Sequence, residues 1–400
     1  MYGLVLEGGG GKGSEQIGVC KALKELGIEI SAVAGTSVGA LNGAMVVQDD
    51  IDKAYELWYN MNPDNVINLT TEELDGFKGN SLNVVVSRLR KIISERGLDV
   101  GPLVKLVKSV IDEEKIRKSP IDFGIVTVDL TERKAVEIFK EEIPEGRIAD
   151  YIIASAGFPA FKPTVIDGRM YIDGAFYNNL PVNLVSKKGC RDIIVVRTYG
   201  FGIKRHMDLG DINLVNIAPS ENLGPILDFN SHRARKNLEM GYFDGLKVWR
   251  KLKGKKYYIE PMNDDSFFIT YLAGISNEKI EKLCELFGIE SCSGRRLLFE
   301  YLVPKVADLL GLPANVTYED IAVGLLEKIA EECRVERFRI YSIREFYSVI
   351  MDRHKYQEDD FIKEIPGFLR GKDLLARFIR ERIIGIIANV LFDTAANTTV

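Results

Sequence analysis

The sequence predicts an α/β fold: a three-layer α/β/α domain with a mostly parallel sheet, followed by a mostly α-helical C-terminal domain. Residues 2–47 read as strand, glycine loop, helix, strand, sharp turn and helix, which is how a parallel sheet covered by helices begins. Further short apolar runs typical of buried strands follow, the strongest at residues 121–130. After about Asn263 the pattern is helical almost throughout, so we expect one domain at residues 1–262 and another at 263–400.

The composition argues against several classes of protein. The 400 residues are 46% apolar and 28% charged, as in an ordinary globular protein, and the net charge of −5 does not favour nucleic acid as a partner. The five cysteines form no Cys-x-x-Cys pair, which suggests neither a zinc site nor a disulfide framework. The sequence also shows no signal peptide and no uncharged apolar run near the roughly 18 residues of a membrane span. We therefore expect a reducing, cytoplasmic location.

The first predicted strand, residues 2–6, runs into a glycine loop, Glu7-Gly8-Gly9-Gly10-Gly11-Lys12-Gly13, and then a helix at residues 14–26. A Walker A loop is excluded because Gly13 stands where that motif needs Ser or Thr. A dinucleotide loop fits the glycine spacing, but the next strand lacks the acidic residue that would bind the ribose. A third interpretation is an oxyanion hole, in which consecutive glycine amides at a helix start bind a substrate oxygen. Lys12 either helps to hold an anionic group there or, as is usual for a single lysine, is solvated.

The second predicted strand leads into Gly35-Thr36-Ser37-Val38-Gly39, which precedes a run of small and apolar residues. This pattern is typical of a strand, a sharp turn and a helix, with Ser37 at the turn and glycines that allow strand and helix to approach closely. The free amides and the positive dipole end of the helix would favour negative charge developing near the serine. The pentapeptide is therefore either a nucleophile elbow or an ordinary turn.

The middle of the chain predicts helices inserted over or beside the sheet, and then two hairpins. The turn of the second hairpin is Asp167-Gly168, a strong two-residue turn signal. The predicted helices lie at residues 52–60, 82–94, 100–111, 148–155, 181–187 and 229–251, and the predicted strands at 121–130, 135–139, 164–166, 169–172, 192–198 and 214–218.

Asp173 closes the second arm of that hairpin, and the small residues after it leave its carboxylate uncrowded. Open α/β sheets place their active sites at the carboxyl edge, where an aspartate within about 2.6–3.2 Å of a serine can accept its proton. Capping of a turn is an equally good interpretation of an Asp-Gly pair. The three histidines, His206, His232 and His354, lie in charged surroundings typical of the protein surface, and none is placed for a carboxylate to hold it.

The order of these parts argues against an ordinary α/β-hydrolase, because only one strand precedes the elbow strand. Over about residues 1–260 the sequence instead resembles the patatin-like phospholipase family. Four segments carry the resemblance in the family's order: the glycine loop, although the family usually has Asp where Glu7 stands, then Gly35-Thr36-Ser37-Val38-Gly39, Ala154-Ser155-Ala156-Gly157-Phe158-Pro159 and Asp173-Gly174-Ala175.

The resemblance implies a serine lipid acyl hydrolase with a Ser–Asp dyad that needs no histidine, cofactor or metal. By position, Ser37 is the nucleophile, Asp173 is the base, and the amides around Gly9, Gly10 and Gly11 are the oxyanion donors. The expected substrate is a phospholipid or another acyl-ester lipid. The alternatives are an acyltransferase or lysophospholipase with the same dyad, and a catalytically silent module that binds an anion at the glycine loop.

The C-terminal region lies outside the resemblance. Thr317 and Asp320 predict a capping box at the start of one of its helices. The last helix is basic and apolar, so either it packs in the core, which is about twice as common, or it makes a peripheral contact with a membrane surface. The predicted helices lie at residues 276–287, 297–310, 318–333, 343–353 and 374–392.

Overall fold

The computed structural model describes residues 1–66, 100–157, 161, 163–205, 210–289, 294–313, 315–353 and 380–392. The chain divides into two compact units, Met1–Val248 and Trp249–Val400. The domain boundary predicted near Asn263 stays a prediction, and the helix predicted at residues 82–94 lies outside the described residues.

The first unit is built on an eight-stranded sheet. The strands are β1 (Tyr2–Leu6), β2 (Ile30–Thr36), β3 (Asp122–Asp129), β4 (Lys134–Phe139), β5 (Thr164–Ile166), β6 (Arg169–Asp173), β7 (Asp192–Val196) and β8 (Asn213–Ile217). They lie in the order β5-β6-β3-β2-β1-β7-β8, and β4 also pairs with β3. The pairings along β3-β2-β1-β7-β8 are parallel, whereas β4, β5 and β6 pair antiparallel. The prediction of a mostly parallel sheet is therefore confirmed.

Helices cover both faces of this sheet. They are α1 (Gly13–Glu25), α2 (Val38–Val47), α3 (Ile51–Tyr59), α4 (Gly101–Val110), α5 (Glu113–Lys118), α6 (Ile148–Ser155), α7 (Val182–Lys187) and α8 (Ser231–Arg250). Successive side chains of a strand point to opposite faces. Accordingly, Val5 packs in one cluster with Leu184 of α7, while the next residue, Leu6, lies against Gly43 of α2. The predicted three-layer arrangement follows from this alternation.

The second unit is mostly helical, as predicted. A short parallel pair, β9 (Tyr258–Glu260) and β10 (Ile340–Ser342), accompanies the helices. The helices are α9 (Asp265–Gly274), α10 (Asn277–Leu286), α11 (Arg295–Leu297), α12 (Val303–Leu310), α13 (Tyr318–Glu332), α14 (Ile343–Arg353) and α15 (Arg380–Phe392), and a π-helical segment, Leu298–Leu302, joins α11 to α12.

Two sequence signals in this unit can be compared with the structure. The capping box is confirmed, because the Thr317 side chain accepts a hydrogen bond from the Asp320 amide and the Thr317 amide donates to the Asp320 carboxylate. The apolar residues of α15, Ile387 among them, are buried in the core of the unit. Over residues 383–392 the predicted last helix is therefore a core helix rather than a helix lying on a membrane.

The cysteines differ from the sequence-based expectation at one position. Cys20 and Cys190 are free and buried, whereas Cys284 is disulfide-bonded. The cysteine spacing, which suggested no disulfide framework, gave no sign of this bond at Cys284. Within the part of the chain that the structure describes, none of the helices combines the length and the apolar character needed to cross a bilayer.

Candidate active site

Ser37 occupies a strained turn between β2 and α2. Its backbone has φ 57° and ψ −128°, a conformation that is costly for a residue with a side chain. A Cβ atom on Gly35 would lie 2.1 Å from the Gly39 carbonyl oxygen, and one on Gly39 would lie 2.1 Å from the Leu6 carbonyl oxygen. Both glycines are therefore required by the close approach of α2 to β1 and β2, and the predicted strand, sharp turn and helix are present.

The Ser37 hydroxyl donates a hydrogen bond to Asp173. The distance from Ser37 Oγ to Asp173 Oδ2 is 2.8 Å, and Asp173 is only 2% exposed. The other carboxylate oxygen, Oδ1, accepts a hydrogen bond of 2.8 Å from the Ala175 amide. Asp173 thus combines the two roles that the sequence left open, because it caps the turn at Ala175 and contacts the serine.

The strand that carries Asp173 runs antiparallel to its neighbour. β2 and β6 follow one another along one edge of β3: Val126 is paired with Thr36, the last residue of β2, and the next residue, Thr127, is paired with Asp173. Asp173 therefore lies level with the end of β2, although β6 runs in the opposite direction to β2 and β3. A Cβ atom on Gly174 would lie 2.1 Å from the Val126 carbonyl oxygen, so this position also needs glycine.

The buried environment changes the basicity of Asp173. Burial raises its pKa to about 6, while the hydrogen bonds from the Ala175 amide and the Ser37 hydroxyl act in the opposite direction by stabilising the carboxylate. A carboxylate with this pKa is a stronger base than a solvent-exposed aspartate and is still mostly ionised at neutral pH.

Ser155, the last residue of α6, holds the elbow from behind. The Ser37 amide donates to Ser155 Oγ at 2.9 Å, and Ser155 Oγ donates to the Val126 carbonyl oxygen at 2.6 Å. In the sequence, Ser155 stands out only as part of a motif and without a role. Ser155 positions the elbow through contacts with Ser37 and Val126, which are distant from it in the sequence. Its place in the segment at residues 154–159 was the only sequence signal that could have suggested this role.

The glycine loop lies beside the elbow because β1 is paired with β2. A Cβ atom on Gly8 would lie 3.2 Å from the Ser37 Cβ atom, and Gly10 and Ser37 line the same cavity. The Gly11 amide, however, donates a 2.7 Å hydrogen bond to the Ile226 carbonyl oxygen. The Gly11 amide is therefore occupied within the protein and is not free to bind an oxyanion, unlike the expectation. Gly9 and Gly10 remain as the candidate oxyanion donors.

Lys12 is tied to the segment that follows β7. Its Nζ atom donates to the carbonyl oxygens of Thr198 at 3.3 Å and Tyr199 at 3.1 Å. Burial lowers the pKa of Lys12; the Glu7 carboxylate opposes this change and Lys204 reinforces it. The lysine is thus half-buried and bonded to the backbone, which corrects the interpretation of a simply solvated side chain.

Glu7 anchors the same segment from inside the fold. Its Oε2 atom accepts hydrogen bonds from the amides of Thr198 at 2.8 Å and Tyr199 at 3.0 Å, and from Arg197 Nε at 3.1 Å. The Lys204 ammonium lies 3.0 Å from Oε1. The side chain is fully buried, so these partners are what makes its charge tolerable.

An apolar cavity opens beside Ser37. Its wall includes Leu41 and Met45 of α2, Leu57 and Trp58 of α3, and Leu103 and Leu106 of α4. The inserted helices α3 and α4 therefore help to enclose this cavity.

Asn42 is a polar residue in the lining, but its polar atoms are bonded inside the protein. Its Nδ2 atom donates to the Gly13 carbonyl oxygen at 2.8 Å and to Gln16 Oε1 at 2.9 Å, and its Oδ1 atom accepts from Trp58 Nε1 at 3.0 Å. The cavity therefore offers an apolar chain a mostly apolar wall.

The three histidines give no alternative partner for the serine within the described part of the chain. His232 is exposed at the start of α8, and its amide donates to Asn230 Oδ1. His206 and His354 lie outside the described residues. The side chain that accepts the Ser37 hydroxyl hydrogen is that of Asp173.

The segment that carries the elbow, the glycine loop and Asp173 matches a known family. Residues 4–185 match the sequence model of the family described as patatin-like phospholipase. These residues belong to the patatin-like phospholipase family. The match ends within α7, before β7 begins.

Relatives of this patatin-like domain include proteins of animals and yeast. The sequence is 27% identical over 203 residues to patatin-like phospholipase domain-containing protein 6 of Mus musculus, and 27% identical over 214 residues to lysophospholipase NTE1 of Kluyveromyces lactis. These alignments cover 48% and 52% of this chain, and the chain spans 13% of the length of each relative.

One solved structure also aligns along most of the chain. VipD from Legionella pneumophila aligns with a TM-score of 0.39 and 14% sequence identity, covering 98% of this chain and 90% of that one.

Proposed function

We propose that this protein is a serine acyl hydrolase that cleaves fatty-acyl esters of phospholipids or related lipids through a dyad of Ser37 and Asp173. The observation that carries the proposal is the 2.8 Å hydrogen bond between Ser37 Oγ and Asp173 Oδ2 at the side of an apolar cavity. Membership of residues 4–185 in the patatin-like phospholipase family supports the same class of reaction.

The first half of the reaction forms an acyl-enzyme. Ser37 Oγ attacks the carbonyl carbon of the ester while Asp173 Oδ2 accepts the hydroxyl proton. The carbonyl oxygen becomes an oxyanion, for which the amides of Gly9 and Gly10 are the proposed donors, assisted by the positive end of α2. When the oxyanion collapses, the ester C–O bond breaks and the leaving alcohol takes the proton from Asp173.

The second half releases the fatty acid. Water attacks the acyl carbon while Asp173 accepts a proton from it, and an oxyanion forms in the same position. Collapse breaks the bond to Ser37 Oγ, which recovers its hydrogen from Asp173. The carboxylate thus serves twice as the base, and the balance of protons needs no histidine.

The shape and chemistry of the cavity support a lipid substrate. An acyl chain bound against Leu57, Leu103 and Leu106 would bring its ester to Ser37, which lines the same cavity. Burial of an apolar chain contributes about 0.8 kcal/mol per methylene group, so even a partly filled cavity favours fatty-acyl over acetyl esters.

A fluorophosphonate probe and a lipid-panel assay on the purified protein test this proposal. We expect the probe to label the wild type but not Ser37→Ala, and Asp173→Asn to lower the rate of lipid hydrolysis by about 10²–10⁴-fold because the base is lost. Ser31→Ala, which changes a half-buried serine at the opposite end of β2, and His232→Ala are the matched controls and should be labelled normally. Full activity in Asp173→Asn would exclude the dyad.

Two alternatives are distinguished by the products. Transfer of the acyl group to an added alcohol, at the expense of free fatty acid, would indicate an acyltransferase that uses the same dyad. A Ser37 that does not react with the probe, together with tight phosphate binding, would indicate an anion-binding module instead.

A further inference from the structure

A surface loop that follows β7 exposes three large apolar side chains. We name residues 199–203 the apolar loop. Tyr199 is 57% exposed, Phe201 is 67% exposed and Ile203 is 54% exposed. Phe176 adds another ring, 36% exposed, which packs edge-on against Phe201 with the ring centres 6.3 Å apart. Two packed rings beside further exposed apolar side chains of one loop are a feature of the kind that marks an interaction site.

The backbone of the apolar loop is fixed against the proposed active site. The Ile203 amide donates to the Ala175 carbonyl oxygen at 2.8 Å, and the Ile203 carbonyl oxygen accepts from the Asn179 amide at 2.6 Å. A Cβ atom on Gly200 would lie 1.9 Å from the Gly8 carbonyl oxygen, so glycine is required there. The loop is thus held against both the glycine loop and the Asp173-Gly174-Ala175 segment, and its side chains are exposed from a well-anchored backbone.

Cationic side chains surround the apolar loop, and we name Lys12, Arg197, Lys204 and Arg205 the basic rim. Arg197 and Lys204 lie over the Tyr199 ring, with their charged groups 5.2 and 5.8 Å from its centre. Arg205 is exposed and stacks on another ring of this surface, that of Tyr177, at 4.5 Å.

One buried carboxylate, that of Glu7, pairs with two members of the basic rim, Arg197 and Lys204. Because the rim contributes four cations against this carboxylate, the rim as a whole carries excess positive charge. Aromatic rings flanked by lysine and arginine match the boundary between acyl chains and anionic headgroups, where both kinds of side chain are stabilised.

We propose that the apolar loop and the basic rim are the surface by which the protein docks on a lipid bilayer that contains anionic phospholipid. This inference rests on the proposed function, since a hydrolase of membrane lipids must meet its substrate at a bilayer. The rings of Phe176 and Phe201 and the side chain of Ile203 enter the interface, and the basic rim contacts the headgroups. Docking in this way brings the glycine loop and the segment that carries Asp173 to the membrane surface.

Vesicle sedimentation with the full chain tests the docking surface. The probes are phosphatidylcholine vesicles with and without phosphatidylglycerol. We expect Phe201→Ser to lower the partition coefficient on anionic vesicles about tenfold, because a large exposed ring no longer enters the interface. Arg205→Gln should lower it about fivefold, and only when phosphatidylglycerol is present. Raising the salt concentration should weaken wild-type binding, since the rim is accessible to ions.

Matched controls distinguish binding through this surface from non-specific binding of vesicles by any exposed apolar or cationic side chain. Val165→Ser removes an apolar side chain that is 64% exposed on the edge strand β5. Arg191→Gln removes a cation whose side chain is 63% exposed at the opposite end of β7 from the apolar loop. Both variants should bind vesicles as the wild type does.

The outcomes distinguish docking from catalysis. Hydrolysis of a soluble short-chain ester, measured in parallel, reports on the dyad alone, and the ratio of vesicle to soluble hydrolysis should fall in Phe201→Ser. If neither substrate is hydrolysed, the proposed function fails, while sedimentation still decides the docking surface. Wild-type binding by both Phe201→Ser and Arg205→Gln would overturn the inference. So would a wild type that ignores vesicles but self-associates through Phe201, which would make the patch an interface between copies.

Discussion

The backbone amide of Ser37 donates a hydrogen bond to the hydroxyl oxygen of Ser155, 2.9 Å away. Ser155 in turn donates to the Val126 carbonyl oxygen of β3, the strand that pairs with both β2 and β6. The strained elbow is therefore fastened to β3 by a side chain from α6, and the strain is maintained by contacts outside the turn.

Replacing Ser155 with alanine should loosen the elbow without touching the reacting atoms. The Ser37 amide loses its partner, which costs about 1–2 kcal/mol of stability, and kcat should fall about tenfold with little change in KM. Ser155→Thr, which restores a hydroxyl, should recover part of kcat if it fits. Steady-state kinetics and urea unfolding measure the two effects, and an unchanged kcat in Ser155→Ala would exclude a positioning role.

The activity should depend on pH through Asp173. The proposed base must be ionised, and its pKa is about 6, so kcat/KM should rise with pH and level off above neutral pH. A pH–rate profile with a soluble ester measures the inflection, which avoids changes in the lipid surface. An inflection near the ordinary aspartate value of about 4 would contradict the assignment.

The raised pKa of Asp173 also predicts how the free energy of unfolding changes with pH. A salt-bridged carboxylate stabilises the fold as the pH rises, whereas the buried Asp173 carboxylate should destabilise it. The folded-state pKa of Asp173 lies above its ordinary value of 3.8, so its stabilising contribution is present below about pH 4 and is lost as the pH rises through about 6. Asp173→Asn escapes this loss. It should therefore be more stable than the wild type at pH 8, by on the order of 3 kcal/mol, with the difference closing near pH 4.

Thermal unfolding across this pH range measures the difference between Asp173→Asn and the wild type. Asp211→Asn is the control, because its side chain is 86% exposed and should change little. An Asp173→Asn protein that is less stable than the wild type at pH 8 would mean that the carboxylate stabilises the fold.

The elbow glycines should be among the least replaceable residues. A Cβ atom on Gly35 would lie 2.1 Å from the Gly39 carbonyl oxygen, so Gly35→Ala should cost more than about 3 kcal/mol or prevent folding. Gly27 has φ +68°, and a Cβ atom there would have no heavy atom within 4 Å, so Gly27→Ala should cost only about 1 kcal/mol. Urea unfolding of the two variants provides the comparison, and equal costs would contradict the close-approach argument.

A bulkier cavity wall should change the preferred acyl length. Leu103→Trp adds volume to the wall beside Ser37, so the ratio of long-chain to short-chain ester hydrolysis should fall about tenfold. Leu130→Trp, at a position that is 36% exposed in the β3–β4 turn, is the control and should leave the ratio as it is. Hydrolysis rates for a series of esters of increasing chain length give this ratio. An unchanged ratio in Leu103→Trp would show that the cavity does not bind the acyl chain.

Local chemistry made much of the fold and the candidate site predictable. The glycines and the serine of residues 35–39 predict the sharp turn between β2 and α2. The pairing of β1 with β2 follows from two apolar runs that are joined by a single helix. The position of Asp173 was also predicted, although β6 reaches it by an antiparallel route that the sequence did not specify.

Features that depend on distant contacts were not predictable. Gly11 resembles its neighbours in sequence, and only the fold shows that Ile226 binds its amide. The same holds for Lys12, whose backbone partners after β7 lie far away in the sequence. Helix α9 was missed because its aromatic and β-branched residues are poor helix formers, although Asp264 caps its first turn.

The bond between Gly11 and Ile226 has a consequence for the synthesis of the protein. The family match ends at residue 185, before β7, which pairs with β1 in the middle of the sheet, and before Ile226. In a nascent chain, Ser37 is synthesised well before Ile226. The glycine loop beside Ser37 therefore cannot form its Gly11–Ile226 hydrogen bond until Ile226 has left the ribosome. The growing polypeptide is expected to stay unreactive towards lipid for that interval, and a fragment cut at the end of the family match should stay so permanently.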